Sequence, residues 1–159
     1  MKGLAALVTT IVLAACATAT IDAMSGLTGT YTHRFRNGTV EGEGYWSEDR
    51  IDIARINATH AAVSIGLDFF NGHSCSLSGD ATLEDGVLIL PAPPEDDGLP
   101  GCALRIERAG DAIILHDPEN GCMMHHCGMR GSFEGAQIAY ASRQPPPSVW
   151  RIRHPPNEP

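Results

Sequence analysis

The chain has 159 residues, of which nineteen are Asp or Glu against eleven Lys or Arg, for a formal charge of −8. That length suits one domain with a substantial core and leaves no room for a second of ordinary size. So acidic a surface excludes nucleic acid as a partner, because holding a phosphate backbone needs a concentration of Lys and Arg.

Met1-Lys2 and the apolar run Gly3 to Ala15 read as a cleavable export signal, with a basic start and a stretch too short to span a bilayer as a permanent helix. The run closes on Leu13-Ala14-Ala15-Cys16, which resembles the bacterial lipobox: an aliphatic residue and two small ones before an obligatory Cys. The resemblance implies cleavage before Cys16, acylation of its sulfur, and attachment to the membrane by lipid chains of the palmitate kind, without a spanning helix. Ala17, where retention at the inner membrane would call for Asp, implies the outer membrane, facing the periplasm.

Removing residues 1–15 also removes Lys2, the only lysine, and leaves ten Arg against the nineteen acids, a formal charge of −9. Such a domain suits a cationic partner in the cell envelope, and the same charge serves solubility. Residues 16–26, rich in Ala, Thr and Ser, read as a tether, and the domain is expected over 27–143.

Within it the apolar pattern has period two, the mark of half-buried strands. Tyr31, His33 and Phe35 share a face of the first strand, and Asn37-Gly38 signals a hairpin into a second over Thr39 to Trp46. Ile51 and Ile53 mark a third. Val63, Ile65, Leu67 and Phe69 alternate through a fourth, and Asn71-Gly72 turns the chain into Ser74 to Thr82. Asp85-Gly86 opens Val87 to Leu90. Pro91 to Gly101, with four prolines and Glu95-Asp96-Asp97, reads as a surface loop. Cys102 to Arg108 and Asp111 to His116 pair across Ala109-Gly110, and Ser132 to Ala141 is the last strand. No stretch keeps a helical period. The fold class is therefore all-β, a small antiparallel barrel or sandwich of about eight strands. The tail, Gln144 to Pro159, holds six prolines and reads as disordered or extended, with Trp150, Arg151 and Arg153 able to rest on a partner or a lipid surface.

Beyond Cys16 the cysteines are Cys75, Cys102, Cys122 and Cys127, and an even number outside the cytoplasmic membrane reads as two disulfides. Cys75 and Cys102 lie near strands whose apolar residues share their face, so the expected pairing is Cys75 with Cys102 and Cys122 with Cys127.

The densest chemistry is Cys122-Met123-Met124-His125-His126-Cys127. Met, His and thiolate together suit copper, and imidazoles such as His125, His126 and His116 suit zinc. Oxidised cysteines cannot ligate as thiolates, so the segment reads as a disulfide-closed loop displaying Met123, Met124, His125, His126 and Arg130, with no cofactor or metal assigned. Gly72-His73-Ser74-Cys75-Ser76 and Ala62-Val63-Ser64-Ile65-Gly66 each miss one glycine of the G-x-S-x-G elbow, and neither precedes a helix. Cys75 beside His73 would be a nucleophile only if reduced. Glu41 and Glu43, on one face of the second strand, form a paired-carboxylate arrangement with no sign of the burial that acid–base catalysis requires. No arrangement defines an enzyme.

The segments Asn71-Gly72-His73-Ser74-Cys75 and Cys127-Gly128-Met129-Arg130-Gly131 resemble a pattern in bacterial periplasmic and lipoprotein domains. The resemblance covers much of 27–143 and brings no activity with it; Arg130 would be a structural fork bonding carbonyls or a carboxylate. In architecture alone the chain is similar to membrane-bound lysozyme inhibitors, whose small β-barrel inserts a loop into a cationic enzyme. The expectation is a non-enzymatic binding or inhibitor module for a periplasmic partner such as a cationic muramidase. A copper- or zinc-handling lipoprotein and a structural envelope lipoprotein without a ligand are the alternatives.

Overall fold

The computed structural model describes residues 22–92 and 101–154. The signal, Cys16, most of the tether and the run Glu95-Asp96-Asp97 lie outside the described residues. Eight strands follow one another as a meander: β1 (Gly29–Gly38), β2 (Gly44–Arg55), β3 (His60–Asp68), β4 (Ser74–Glu84), β5 (Val87–Ala92), β6 (Cys102–Ala109), β7 (Ala112–His116) and β8 (Gln137–Ala139). All neighbours are antiparallel. Past β8 the chain returns to β1, where Thr30 and Gln144 exchange two backbone hydrogen bonds of 2.8 Å. The sheet is thus a nearly closed barrel, as the all-β reading required, and closure leaves little exposed strand edge.

Turn chemistry explains the hairpins. Asn71 and Gly72 have φ of 63° and 72°, and Asp85 and Gly86 have φ of 48° and 84°, the left-handed backbone that Asn, Asp and Gly adopt most readily. Asn37-Gly38 is not a turn. Both residues stay in β1, opposite Tyr45 and Gly44, and the chain reverses over Thr39–Glu43 with Gly42 at φ 89°. The second and third expected strands are consequently one strand of twelve residues, and Glu41 and Glu43 both lie in the turn instead of sharing a strand face.

The barrel interior is filled by alternate residues: Tyr31, Ile51, Ile53, Val63, Ile65, Leu88, Leu90, Leu104, Ile106, Ile113 and Leu115 are buried. Two short helices lie where no structure was expected. In α1 (Ala23–Leu27) the Asp22 carboxylate accepts from Met24 N at 2.9 Å, and Met24 and Leu27 enter the core. The ordered domain therefore starts before residue 27. The tail is likewise not disordered through residue 154. Ser148 caps α3 (Val149–Arg153), which packs across β2, β3 and β4, sets Ile152 against Ala54 and Ala62, and pairs Arg153 with Asp80. Among the described residues no helix is long and apolar enough to cross a membrane.

Candidate functional site at the distal end of the barrel

The strand registers give the barrel two distinct ends. At the proximal end the chain enters, with Asp22 ion-paired to Arg55 at the tip of β2. This end holds α1, the β2–β3 turn, the Asp85-Gly86 turn and the β6–β7 turn. The distal end carries the Thr39–Glu43 turn, the Phe69–His73 turn and the long connection between β7 and β8.

That connection is fixed at three points. Cys75 is joined to Cys127, and Cys102 to Cys122. Asp117, 2% exposed, accepts from Cys122 N at 2.8 Å and from Met123 N at 2.9 Å, capping the helical turn α2 (Met123–His126), while its own N–H donates to Glu134 at 2.6 Å. Phe133, fully buried, plugs the barrel beneath. The 3-residue β8 is what this plug leaves of the last expected strand.

The disulfides correct the expected pairing. β5 pairs with β4 only at Thr82–Glu84, so the edge of β4 around Cys75 is open on that side. Cys127 fills it as an isolated bridge to Cys75, and Gly128 N donates to Ser74 O at 2.8 Å. Cys122 and Cys127 cannot meet across a helical turn, since five residues at about 100° each set them on divergent faces. Cys122 instead turns inward to Cys102.

The C-G-x-R-G segment has a packing explanation. A Cβ on Gly131 would stand 2.5 Å from Cys75 Sγ, so that position demands a bare backbone, and one on Gly128 would press on the His73 ring, 3.0 Å from Nδ1. Arg130 is not a fork on carbonyls or a carboxylate. It is exposed, its guanidinium 5.9 Å from the Phe70 ring centroid.

What the distal end displays is apolar and acidic. Of the seven large hydrophobic side chains exposed among the described residues, five lie there: Val40, Trp46, Phe70, Met124 at 66% and Met129 at 95%. Trp46 stands under Arg34 and Arg36, whose guanidiniums are 4.7 and 5.2 Å from its ring centroid. Glu48 lies opposite Arg34 in the β1–β2 pairing, Glu41 and Glu43 lie in the turn beyond, Asp68 ends β3, and Glu119 and Glu134 belong to the β7–β8 connection. An open depression of about 450 Å³ lies between Ala103 and the Pro118–His125 segment, with Glu119, Met124 and His125 on its wall.

Sequence reading singled out Met123, Met124, His125, His126 and Arg130, and the structure places all five on the stapled loop. It missed Asp117, Glu134, Trp46, Arg34 and Arg36. His116 stands apart from the loop histidines, its Nε2 3.0 Å from Glu107 Oε1 and its Nδ1 3.8 Å from Glu134 Oε1. Among the described residues no three His, Cys, Asp or Glu side chains converge as a metal site. Ser64 and Ser74 lie in β3 and β4, not at a strand-to-helix turn, and Cys75 is oxidised.

Ionisation follows burial and pairing. Desolvation raises the Asp49 carboxyl above its ordinary value, against the hydrogen bonds it accepts from Asp68 N and His33. The hydrogen bonds that Arg50 donates to the Asp52 carboxylate raise Arg50, and the one that Arg55 donates to Asp22 lowers Asp22. Burial pushes Tyr31 up to about 12; its hydroxyl donates to Leu27 O at 2.8 Å.

Compared with family models, with curated proteins and with solved structures, the chain matches none.

Proposed function

We propose that this protein is a non-enzymatic binding module of the bacterial cell envelope, lipid-anchored through Cys16 to the outer membrane and facing the periplasm, and that its distal end engages a cationic envelope protein of the muramidase kind. The observation that carries the reading is the gathering, at the end opposite the chain's entrance, of both disulfides and five of the seven large hydrophobic side chains exposed among the described residues. Exposed apolar side chains are costly to a free monomer unless they serve contact, and a stapled loop loses little conformational freedom when it binds.

Charge supports the choice of partner. Arg50, Arg55 and Arg153 are consumed by Asp52, Asp22 and Asp80, and Arg143 is held by backbone carbonyls of Ser25 and Thr28. Among the described residues of the distal end the six carboxylates Glu41, Glu43, Glu48, Asp68, Glu119 and Glu134 outnumber the cations Arg34, Arg36 and Arg130, so the net field there is negative and steers a cation toward it.

Retention of a cationic muramidase by the immobilised protein, measured over a series of salt concentrations with lytic activity assayed in parallel, tests the reading. Retention that weakens as salt rises, with lysis inhibited, is the expected outcome. No retention even at moderate salt removes the muramidase as partner.

A further inference from the structure

The two remaining exposed hydrophobic side chains, Ile56 at 39% and Trp150 at 66%, are not at the distal end. Ile56 is in the β2–β3 turn at the proximal end. Trp150 belongs to α3, which crosses β2, β3 and β4 at the row of Ala54, Ala62 and Asp80, one residue pair from that end. Its place is fixed. Ile152 is buried beneath the helix, Ser148 Oγ accepts from Arg151 N, and the indole stacks on His154 at 5.0 Å.

We propose that this proximal end rests on the phospholipid headgroup layer, with Trp150 and Ile56 at the membrane interface and the distal end held away from it. The proposal rests on the anchoring of Cys16, and the length of chain outside the described residues argues for it. From Cys16 to Asp22 are six residue steps, which reach at most about 21 Å, so an anchored domain keeps Asp22 within that distance of the lipid and the end that Asp22 occupies is the one nearest to it. Trp is the side chain best suited to that layer, with an apolar body and one N–H for the wet side.

The charges agree. Near the contact, Asp22 with Arg55 and Asp80 with Arg153 are neutral pairs, and Arg151 is exposed beside Trp150. The carboxylates of Glu84, Asp85 and Asp111 sit on the β4–β5 and β6–β7 turns, so the β2–β3 side is the part of the rim that meets lipid. The acid-rich distal end is repelled by anionic headgroups.

The chain has two tryptophans, one on each end. The acylated full chain, as Trp46→Phe with Trp150 reporting and as Trp150→Phe with Trp46 reporting, is reconstituted in phosphatidylethanolamine vesicles containing some phosphatidylglycerol, with brominated acyl chains as quencher. Quenching of Trp150 is expected to exceed that of Trp46 by about threefold or more, with a blue-shifted Trp150 emission. Equal quenching, or an unquenched Trp150 in protein that floats with the vesicles, overturns the proposal and leaves the anchor standing. A chain whose intact mass shows no acyl group and which stays in the soluble fraction overturns both.

Discussion

The two ends of the barrel are closed by different means. At the proximal end, α1 covers the opening with Met24 and Leu27, and Tyr31, Tyr140 and Arg143 bond the backbone carbonyls of Leu27, Gly26 and Ser25. At the distal end a single large side chain, Phe133, lies under a loop with little regular structure, held by two disulfides and the Asp117 carboxylate. Both closures rest on side-chain caps, because a five-residue helix and an irregular loop alike leave backbone groups unpaired, but only the distal one adds covalent bonds. In return it displays Met124, Met129 and Arg130 in fixed positions, as a recognition surface on a rigid scaffold requires.

The comparison breaks first at the plug. Phe133→Ala should cost about 3 to 5 kcal/mol, measured by urea unfolding, because the stapled loop cannot collapse into the space the ring leaves. A loss near 1 kcal/mol would mean that the distal end is loosely packed and that the disulfides alone hold it. Those bonds rank next. Replacing Cys75 and Cys127 with Ser, which opens a loop of 52 residues, should cost about 4 kcal/mol, and replacing Cys102 and Cys122, separated by 20, about 3 kcal/mol. Peptide mapping of the oxidised protein should recover Cys75 linked to Cys127 and Cys102 to Cys122.

The strands and tight turns of the barrel wall were legible in the sequence, while α1 and α3 near the proximal end and the stapled architecture of the distal end were not, for one physical reason. Alternation of Val63, Ile65 and Leu67, and turns such as Asp85-Gly86, are local signals that work on neighbouring residues. The distal site is built from long-range pairings. Treating Asn37-Gly38 as a two-residue loop puts Arg36 opposite Thr39, and the stack of Arg34 and Arg36 on Trp46 disappears; the true five-residue turn, Thr39–Glu43, sets Arg36 opposite Trp46. The disulfides failed in the same way, because the open edge of β4 that receives Cys127 exists only once β5 has diverged from it. The stapled loop itself was found from its Cys-Met-His composition. Asp117 had a local sign, its position before Pro118, though not its partners five and six residues on.

Tyr31 offers a way to sharpen the account of the proximal end. Its phenol is raised from 10 to about 12 by burial, so the folded state favours the neutral form. With a folded value above the unfolded one, the contribution is whole below pH 10 and is lost as pH climbs through 12. It amounts to about 3 kcal/mol. The wild-type chain should lose that stability between pH 10 and 12, and Tyr31→Phe should flatten the decline; in an absorbance titration the variant should lack the latest tyrosinate step. An equally steep decline in the variant would show that the hydroxyl is not sealed beneath α1.

The smallest expected effect on stability separates display from packing. Met129 is 95% exposed, so Met129→Ser should change the unfolding free energy by no more than about 0.5 kcal/mol. If the distal end is a contact surface, the same change should weaken capture of a cationic muramidase by about fivefold or more, the loss expected when an apolar anchor leaves the centre of an interface. A proximal control, Ile56→Ser, should leave capture unchanged. Capture left unchanged by both substitutions alike would show that net charge alone holds the partner and that the stapled loop does not choose it, because neither substitution alters a charge.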